Sequence, residues 1–339
     1  MLHGLDAWGD WAVSVPTHRS HLAGLDSKRG RFYRPLDPVY ADELNVPATS
    51  AGPVSVPKAL AVLFKVRVVV LLLFAAIGGA FLAAGGWPGM GSLVLLVVCG
   101  GSAAGGASAI NQYLERELDS RMERTRSRPL VDRSRAGAAW VPLVGGLMIV
   151  VPSLLVLPAN PALAVFLLVG AVIYVGVYTI WLKPRTPLNI VIGGLAGSAA
   201  VLSGSAAAGN WSHPGAVILS LLVFLWTPTH FWSLAIAYRR DYARGGFPML
   251  PVWSSPRAAA WWVLLHAVAA VLAALALAAQ PALGWLYLAP VAAASIVFLL
   301  LSIRLIRRPV RARALALFHT SNLYLGLVLL MVCTGTVLS

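Results

Sequence analysis

Acidic side chains are scarce beyond the first 43 positions. Between Glu43 and Ser339 the chain has six: Glu115, Glu117, Asp119, Glu123 and Asp132 in one segment, and Asp241 alone. Charge of either sign is thin, at 11% of 339 residues against about 25% in soluble domains, whereas hydrophobic residues make up 59%. This excludes a soluble globular domain. Cysteine is almost missing too: Cys99 and Cys333 lie far apart in apolar stretches, which excludes a disulfide framework or a cysteine metal site. The few carboxylates that remain stand beside arginines, so those two segments are where chemistry is expected.

What fills the chain instead is apolar sequence. Nine stretches approach the ~20 residues that cross a bilayer, at about 60–84, 91–114, 139–158, 161–181, 187–208, 215–238, 258–279, 282–303 and 314–337. Turn-forming runs such as Gly85-Gly86-Trp87-Pro88 and Pro158-Ala159-Asn160-Pro161 separate them. Backbone groups in lipid must close their hydrogen bonds internally, so the stretches are predicted to be helices. The expected fold class is all-α, a polytopic membrane protein.

The connections alternate in charge. Arg116, Arg121, Arg124, Arg126, Arg128, Arg133 and Arg135 follow the second stretch, and Lys183 and Arg185 the fourth. Arg239, Arg240, Arg244 and Arg257 follow the sixth, and Arg304, Arg307, Arg308, Arg311 and Arg313 the eighth, while the intervening loops hold no lysine or arginine. By the positive-inside rule the basic face is cytoplasmic, which puts the N-terminus in the cytoplasm and the C-terminus outside. The net charge of +14 is therefore topological first. Residues 1–57 differ in kind: polar, proline-punctuated and without sustained apolar periodicity, they are expected to be a disordered cytoplasmic tail, with the membrane domain at 58–339. Asp6 and Asp10 argue against a mitochondrial presequence.

In Asn111-Gln-Tyr-Leu-Glu115-Arg-Glu-Leu-Asp119, spacings of four put Asn111, Glu115 and Asp119 on one helical face. Like charges four apart repel by a few tenths of a kcal/mol, and a divalent cation between them reverses the sign. Two carboxylates and an amide suit Mg²⁺, which takes further ligands from substrate phosphates. Arg121, Arg124 and Arg128 add planar donor forks that match phosphate oxygens, so the segment describes a diphosphate site. Four helices later, Tyr238-Arg239-Arg240-Asp241-Tyr242 lies on the same membrane side, and its one carboxylate either completes a metal shell or offsets local positive charge.

The stretch NQYLERELDSRMERTRSRPL at 111–130 resembles the signature of the intramembrane prenyltransferases related to 4-hydroxybenzoate polyprenyltransferase, and most nearly their haem O synthase (protohaem IX farnesyltransferase) branch. Similar too are YTIWLKPRTPLNIVIGG at 178–194, WTPTHFWSLA at 226–235, DYARGGFPMLPV at 241–252 and LFHTSNLYL at 317–325, so the resemblance covers about 58–339. It implies nine transmembrane helices around a central cavity and transfer of farnesyl from farnesyl diphosphate to a vinyl group of haem B, with water added to give haem O. It implies Mg²⁺ as cofactor, with Asn111, Glu115, Asp119 and Asp241 holding metal and diphosphate. Arg124, Arg128 and Lys183 would contact phosphate oxygens, with Arg185 and Arg240 as further candidates. The sequence departs from the family pattern at Glu115, where aspartate is commoner. It departs also in Phe64-Lys65-Val66-Arg67, where a proline usually separates the basic residues, and at Thr229.

An allylic cation needs a dry, electron-rich lining. Tyr113, Tyr178, Phe231, Trp232, Tyr238 and Tyr242 are the candidates, with His230 the best placed to touch haem and His266 and His319 behind it. The partners implied are farnesyl diphosphate, haem B, membrane lipid and a downstream haem-modifying enzyme, and no nucleic acid. A bacterial plasma membrane is expected over a mitochondrial inner membrane. A related enzyme with an aromatic acceptor, or a transporter, stays open at this level, although carboxylates at helix ends do not suit transport.

Overall fold

The computed structural model describes residues 55–131 and 138–338. The predicted tail, up to residue 54, and Asp132, Arg133 and Arg135 lie outside the described residues. The described chain is helical: α1 Val56–Leu63, α2 Val66–Ala84, α3 Met90–Asp119, α4 Trp140–Val156, α5 Pro161–Leu182 and α6 Asn189–Ala207. These are followed by α7 Pro214–Ala237, α8 Arg239–Arg244, α9 Leu250–Trp253, α10 Pro256–Ala279, α11 Gly284–Arg307 and α12 Arg311–Leu338.

Among the described residues, eight helices are long and apolar enough to cross a membrane: α2, α3, α5, α6, α7, α10, α11 and α12. The remaining predicted stretch is α4, apolar but only 17 residues long, at the lower end of the about 17–25 that span. Helix starts follow the local sequence. Asn160 caps α5 by accepting from Leu163 N at 2.9 Å with Pro161 behind it, and Ser255 caps α10 by accepting from Ala258 N at 3.1 Å before Pro256.

Packing uses small residues where helices cross. A Cβ on Gly204 of α6 would sit 1.7 Å from Ala76 O of α2, and one on Gly79 would sit 2.2 Å from Val201 O, so the two backbones touch there. Glycine is required at both positions, as expected where lipid supplies no hydrophobic drive for association. Leu219, Leu222, Val263, Tyr287 and Phe298 are fully buried between helices, while Leu221, Leu272 and Leu300 point outward from the same apolar segments. Exposed tryptophans form two girdles: Trp87, Trp211 and Trp285 at one set of helix ends, Trp140, Trp181, Trp253 and Trp261 at the arginine-bearing ends.

One boundary differs from the sequence expectation, and it matters for the site. The first apolar stretch is not one helix but is broken at Phe64-Lys65, with Lys65 in the left-handed region at φ 48°. As the spacing of four expects, α3 runs on past the apolar stretch to Asp119, keeping Glu115 and Asp119 on regular helix.

Candidate functional site

The last turns of α3 carry Asn111, Glu115 and Asp119 on one buried face. Each is met by a group from elsewhere. Lys183, just past α5, donates to Glu115 Oε1 at 2.5 Å, and Asn111 Nδ2 donates to the same oxygen at 2.8 Å and to Thr179 Oγ1 at 3.0 Å. Lys65 donates to Asn111 Oδ1 at 2.5 Å and to the Tyr174 hydroxyl at 2.9 Å. Burial pulls the Lys65 ammonium down to about 7, against the raising effect of Glu115. An arriving anion would favour its charged form.

The local winding explains how α5 supplies three of these groups. Val172–Leu182 is π-helical, and Lys183 N reaches back to Tyr178 O at 2.8 Å. With five residues to each hydrogen-bonded turn, Tyr174, Tyr178, Thr179 and Lys183 come to one side. On the opposite wall Gln112 donates to Val62 O and Leu63 O, at 2.5 and 2.9 Å, and so holds the break that aims Lys65 inward.

Beyond Asp119 the chain turns back on itself. Thr125 Oγ1 donates to Asp119 O at 3.1 Å and Arg128 Nη1 to Asp119 Oδ2 at 2.6 Å. The same turn reaches the second segment, where Arg124 N donates to Asp241 Oδ2 at 3.0 Å. The Arg124 guanidinium lies over Tyr238 and Tyr242, at 5.8 and 5.7 Å from their ring centroids. Gly245 makes that approach feasible, since a Cβ there would lie 2.8 Å from Met122 Sδ. Two segments 110 or more residues apart thus form one polar wall, with Lys183 4.6 Å from the Phe247 ring centroid.

Below Tyr174 and Ser108 the wall gives way to an apolar cavity of about 100 Å³ between α2, α3, α5 and α6. Its lining is mostly alanine and glycine, including Gly100, Ala103, Ala104, Ala107, Gly170 and Ala200. From Ser108 to Gly100 the cavity follows about 12 Å of α3, at 1.5 Å per residue.

Several sequence-predicted residues fall elsewhere. Arg185 is exposed and donates to Ile180 O and Trp181 O at the end of its own helix, at 2.9 and 2.7 Å. Arg240 is exposed. Tyr113 sits two positions from Asn111, on the far side of α3, where it stacks on Arg116 at 4.2 Å and packs beside Leu63. Trp232 is buried with its ring edge-on to His266 at 5.1 Å, turned toward α10. His266 bonds Trp262 O of its own helix, and His319 is exposed. Phe231 is half-exposed beside His230, whereas Tyr178 and Tyr242 are buried in the site wall. Glu117 and Glu123 are exposed. Lys65, Tyr174, Thr179 and Phe247 are site residues that sequence reasoning did not select, although the unusual Phe64-Lys65-Val66-Arg67 run marked the first.

Among the described residues no three His, Cys, Asp or Glu side chains are grouped to hold a metal. Cationic and amide donors of the chain take up Glu115 Oε1, Asp119 Oδ2 and Asp241 Oδ2. Asp119 Oδ1, however, is buried without any partner, and so is Arg124 Nε. An orphaned carboxylate oxygen is costly unless something meets it. An oxygen-seeking cation fits it, and an anion fits the orphaned guanidinium donor.

Residues 71–327 match the UbiA prenyltransferase family. The chain is 41% identical to protoheme IX farnesyltransferase 2 of Paramagnetospirillum magneticum over 80% of this chain and 94% of that protein. Its fold is similar to that of a solved digeranylgeranylglyceryl phosphate synthase, with TM-score 0.70 at 18% identity, covering 84% of this chain and 99% of the other. It is similar also to a UbiA homolog from Archaeoglobus fulgidus bound to DMAPP and Mg²⁺, with TM-score 0.56 at 15% identity over 80% and 98% of the two chains.

Proposed function

The chain belongs to the UbiA prenyltransferase family, and we propose that it transfers a farnesyl group from farnesyl diphosphate to a vinyl group of haem B, with water added, to give haem O. It is a multi-pass membrane enzyme. One juxtaposition carries the assignment of the donor: a polar wall opens directly onto a long apolar cavity. The wall holds Lys65, Lys183, Arg124, Arg128 and Arg244 against Glu115, Asp119 and Asp241, an excess of positive charge suited to a diphosphate. The cavity, lined by alanine and glycine, suits the prenyl chain attached to it.

In this reading Arg124 and Arg128 hold diphosphate oxygens by planar forks, while Lys65 and Lys183 add point charges beside them. Asp119 and Asp241 would hold Mg²⁺, with Asn111 and Glu115 behind them; when bound, the ion neutralises charge that develops on the leaving diphosphate. The guanidinium groups act on the same charge without needing to reorganise. The C1–oxygen bond breaks with its electron pair leaving on diphosphate, and the vinyl terminus bonds to C1. Water then adds to the resulting cation beside the porphyrin ring and releases a proton. Tyr178 and Tyr242 line the approach and keep water from the allylic cation before the vinyl group reaches it. Positive-inside topology, with the site at the cytoplasmic end, and a bacterial plasma membrane complete the proposal. A haem-modifying enzyme in the same membrane is the expected recipient.

Purified chain in detergent, given haem B, farnesyl diphosphate and Mg²⁺, should release diphosphate and form haem O together. A chelator should stop both, and added Mg²⁺ should restore both. Product formation that a chelator leaves untouched would remove the metal from the account.

The cavity yields a separate expectation. Ala104→Phe places a ring in its lumen, so the KM for farnesyl diphosphate should rise at least tenfold, about 1.4 kcal/mol of binding, while a shorter geranyl donor loses less. Steady-state kinetics with both donors would check this. An equal loss for both would place the chain elsewhere.

A further inference from the structure

We propose that Ser321 is a positioning residue that fixes the tautomer of His230 and so presents the Nε2 lone pair to the iron of the haem acceptor. The proposal rests on the haem reading above. His230 Nδ1 lies 2.8 Å from Ser321 Oγ, and Ser321 is fully buried. That same hydroxyl lies 2.7 Å from Phe318 O. A carbonyl brings no hydrogen, and a serine hydroxyl has one to give, so it is spent on Phe318 O. With that hydrogen on Phe318 O, the contact with His230 is made by a proton on Nδ1, with Ser321 Oγ accepting. In a neutral imidazole this leaves Nε2 unprotonated.

The rest of the pocket holds the ring on both faces. Trp226 covers one face at 4.5 Å between centroids and 18° between planes, and Phe318 covers the other at 4.4 Å and 28°. Phe231 meets the ring edge-on at 5.3 Å. Trp226 Nε1 donates to Ser321 O at 2.8 Å, which ties α7 to α12 at the level of the histidine. Among the described residues no hydrogen bond to Nε2 is found, and it is not among the buried polar atoms left without a partner, so it faces open space. A histidine that ligates a metal commonly gives its other N–H to a fixed acceptor, which sets both tautomer and ring orientation. Trp226, Phe318 and Ser321 build that arrangement here around His230.

The test is a haem titration of the full chain in detergent, followed by absorption, with wild type, His230→Ala, Ser321→Ala and Ser321→Thr. Wild type should give the spectrum of a histidine-ligated haem, and His230→Ala should lose it. Ser321→Ala should weaken haem binding about 10- to 100-fold, the cost typical of removing an outer partner of a metal ligand. Ser321→Thr should restore most of it, and the KM for farnesyl diphosphate should stay at the wild-type value throughout. Nitrogen NMR of labelled histidine should show the resonance absent from His230→Ala as protonated on Nδ1. A wild-type haem spectrum in Ser321→Ala, or a resonance protonated on Nε2, overturns the proposal. If haem O still forms while His230→Ala keeps the wild-type spectrum, this inference alone falls. A wild type that neither binds haem nor converts it removes the reading beneath.

Discussion

Asp119→Asn should lower the turnover number for haem O formation about a thousandfold, the upper end of what removal of one charge-stabilising group costs. The substitution keeps the shape of the side chain and leaves the Thr125 hydrogen bond to the Asp119 backbone carbonyl in place, but removes the charge at the orphaned Oδ1. It also leaves Arg128, 2.6 Å away, without its carboxylate partner. Two effects can be separated. If Asp119 serves mainly as a metal ligand, raised Mg²⁺ should recover part of the lost rate, and the KM for haem should be unchanged. If it serves only to hold Arg128, added metal should do nothing. Asp119→Glu restores the charge one methylene too far out and should fall between Asn and wild type. A turnover number within tenfold of wild type for Asp119→Asn would place the developing charge elsewhere.

Lys183→Met should be the most destabilising single change in the site. Lys183 and Glu115 meet at 2.5 Å with side chains 11% and 7% exposed, so removal of the cation leaves a carboxylate buried with Asn111 as its remaining donor. Breaking one side of such a pair costs about 3–5 kcal/mol, whereas removing both partners together costs far less. The double variant Lys183→Met with Glu115→Gln should therefore recover most of the thermal stability. It should not recover activity, because both charges near the diphosphate are gone. Melting curves in detergent for the two singles and the double give the coupling directly. A single variant as stable as wild type would mean that the pair is solvated or absent.

The spacing of four from Asn111 to Asp119 was enough to put three site residues on one face, because helical periodicity is a property of the chain alone. The meeting of Asp241 with the first segment was also legible, since alternating charge put both on one membrane side. Arg185 shows where this stops. A basic residue near a membrane end can point to a phosphate, a helix terminus or water, and its position in sequence does not distinguish these. Tyr113 shares a segment with the site but not a face.

Lys65 was hidden for a different reason. Its apolar neighbours read as one continuous span, and the break depends on a left-handed residue held by Gln112 from another helix. Likewise Tyr174 and Thr179 join Lys183 only through π winding, a departure from the 3.6-residue period on which sequence patterns rest. The pairing of two of the expected metal-binding acids with a lysine and an arginine of the same chain was not legible, because it depends on which segments the fold brings together.

The central claim is that this wall and cavity deliver a farnesyl group to haem. It is tested most directly by expressing the chain in a host without haem O activity, supplying oxygen-labelled water and weighing the extracted haems. The expected product is haem B enlarged by one farnesyl group and one hydroxyl, with the label in that hydroxyl. Unchanged haem B in membranes shown to contain the folded protein would contradict the account.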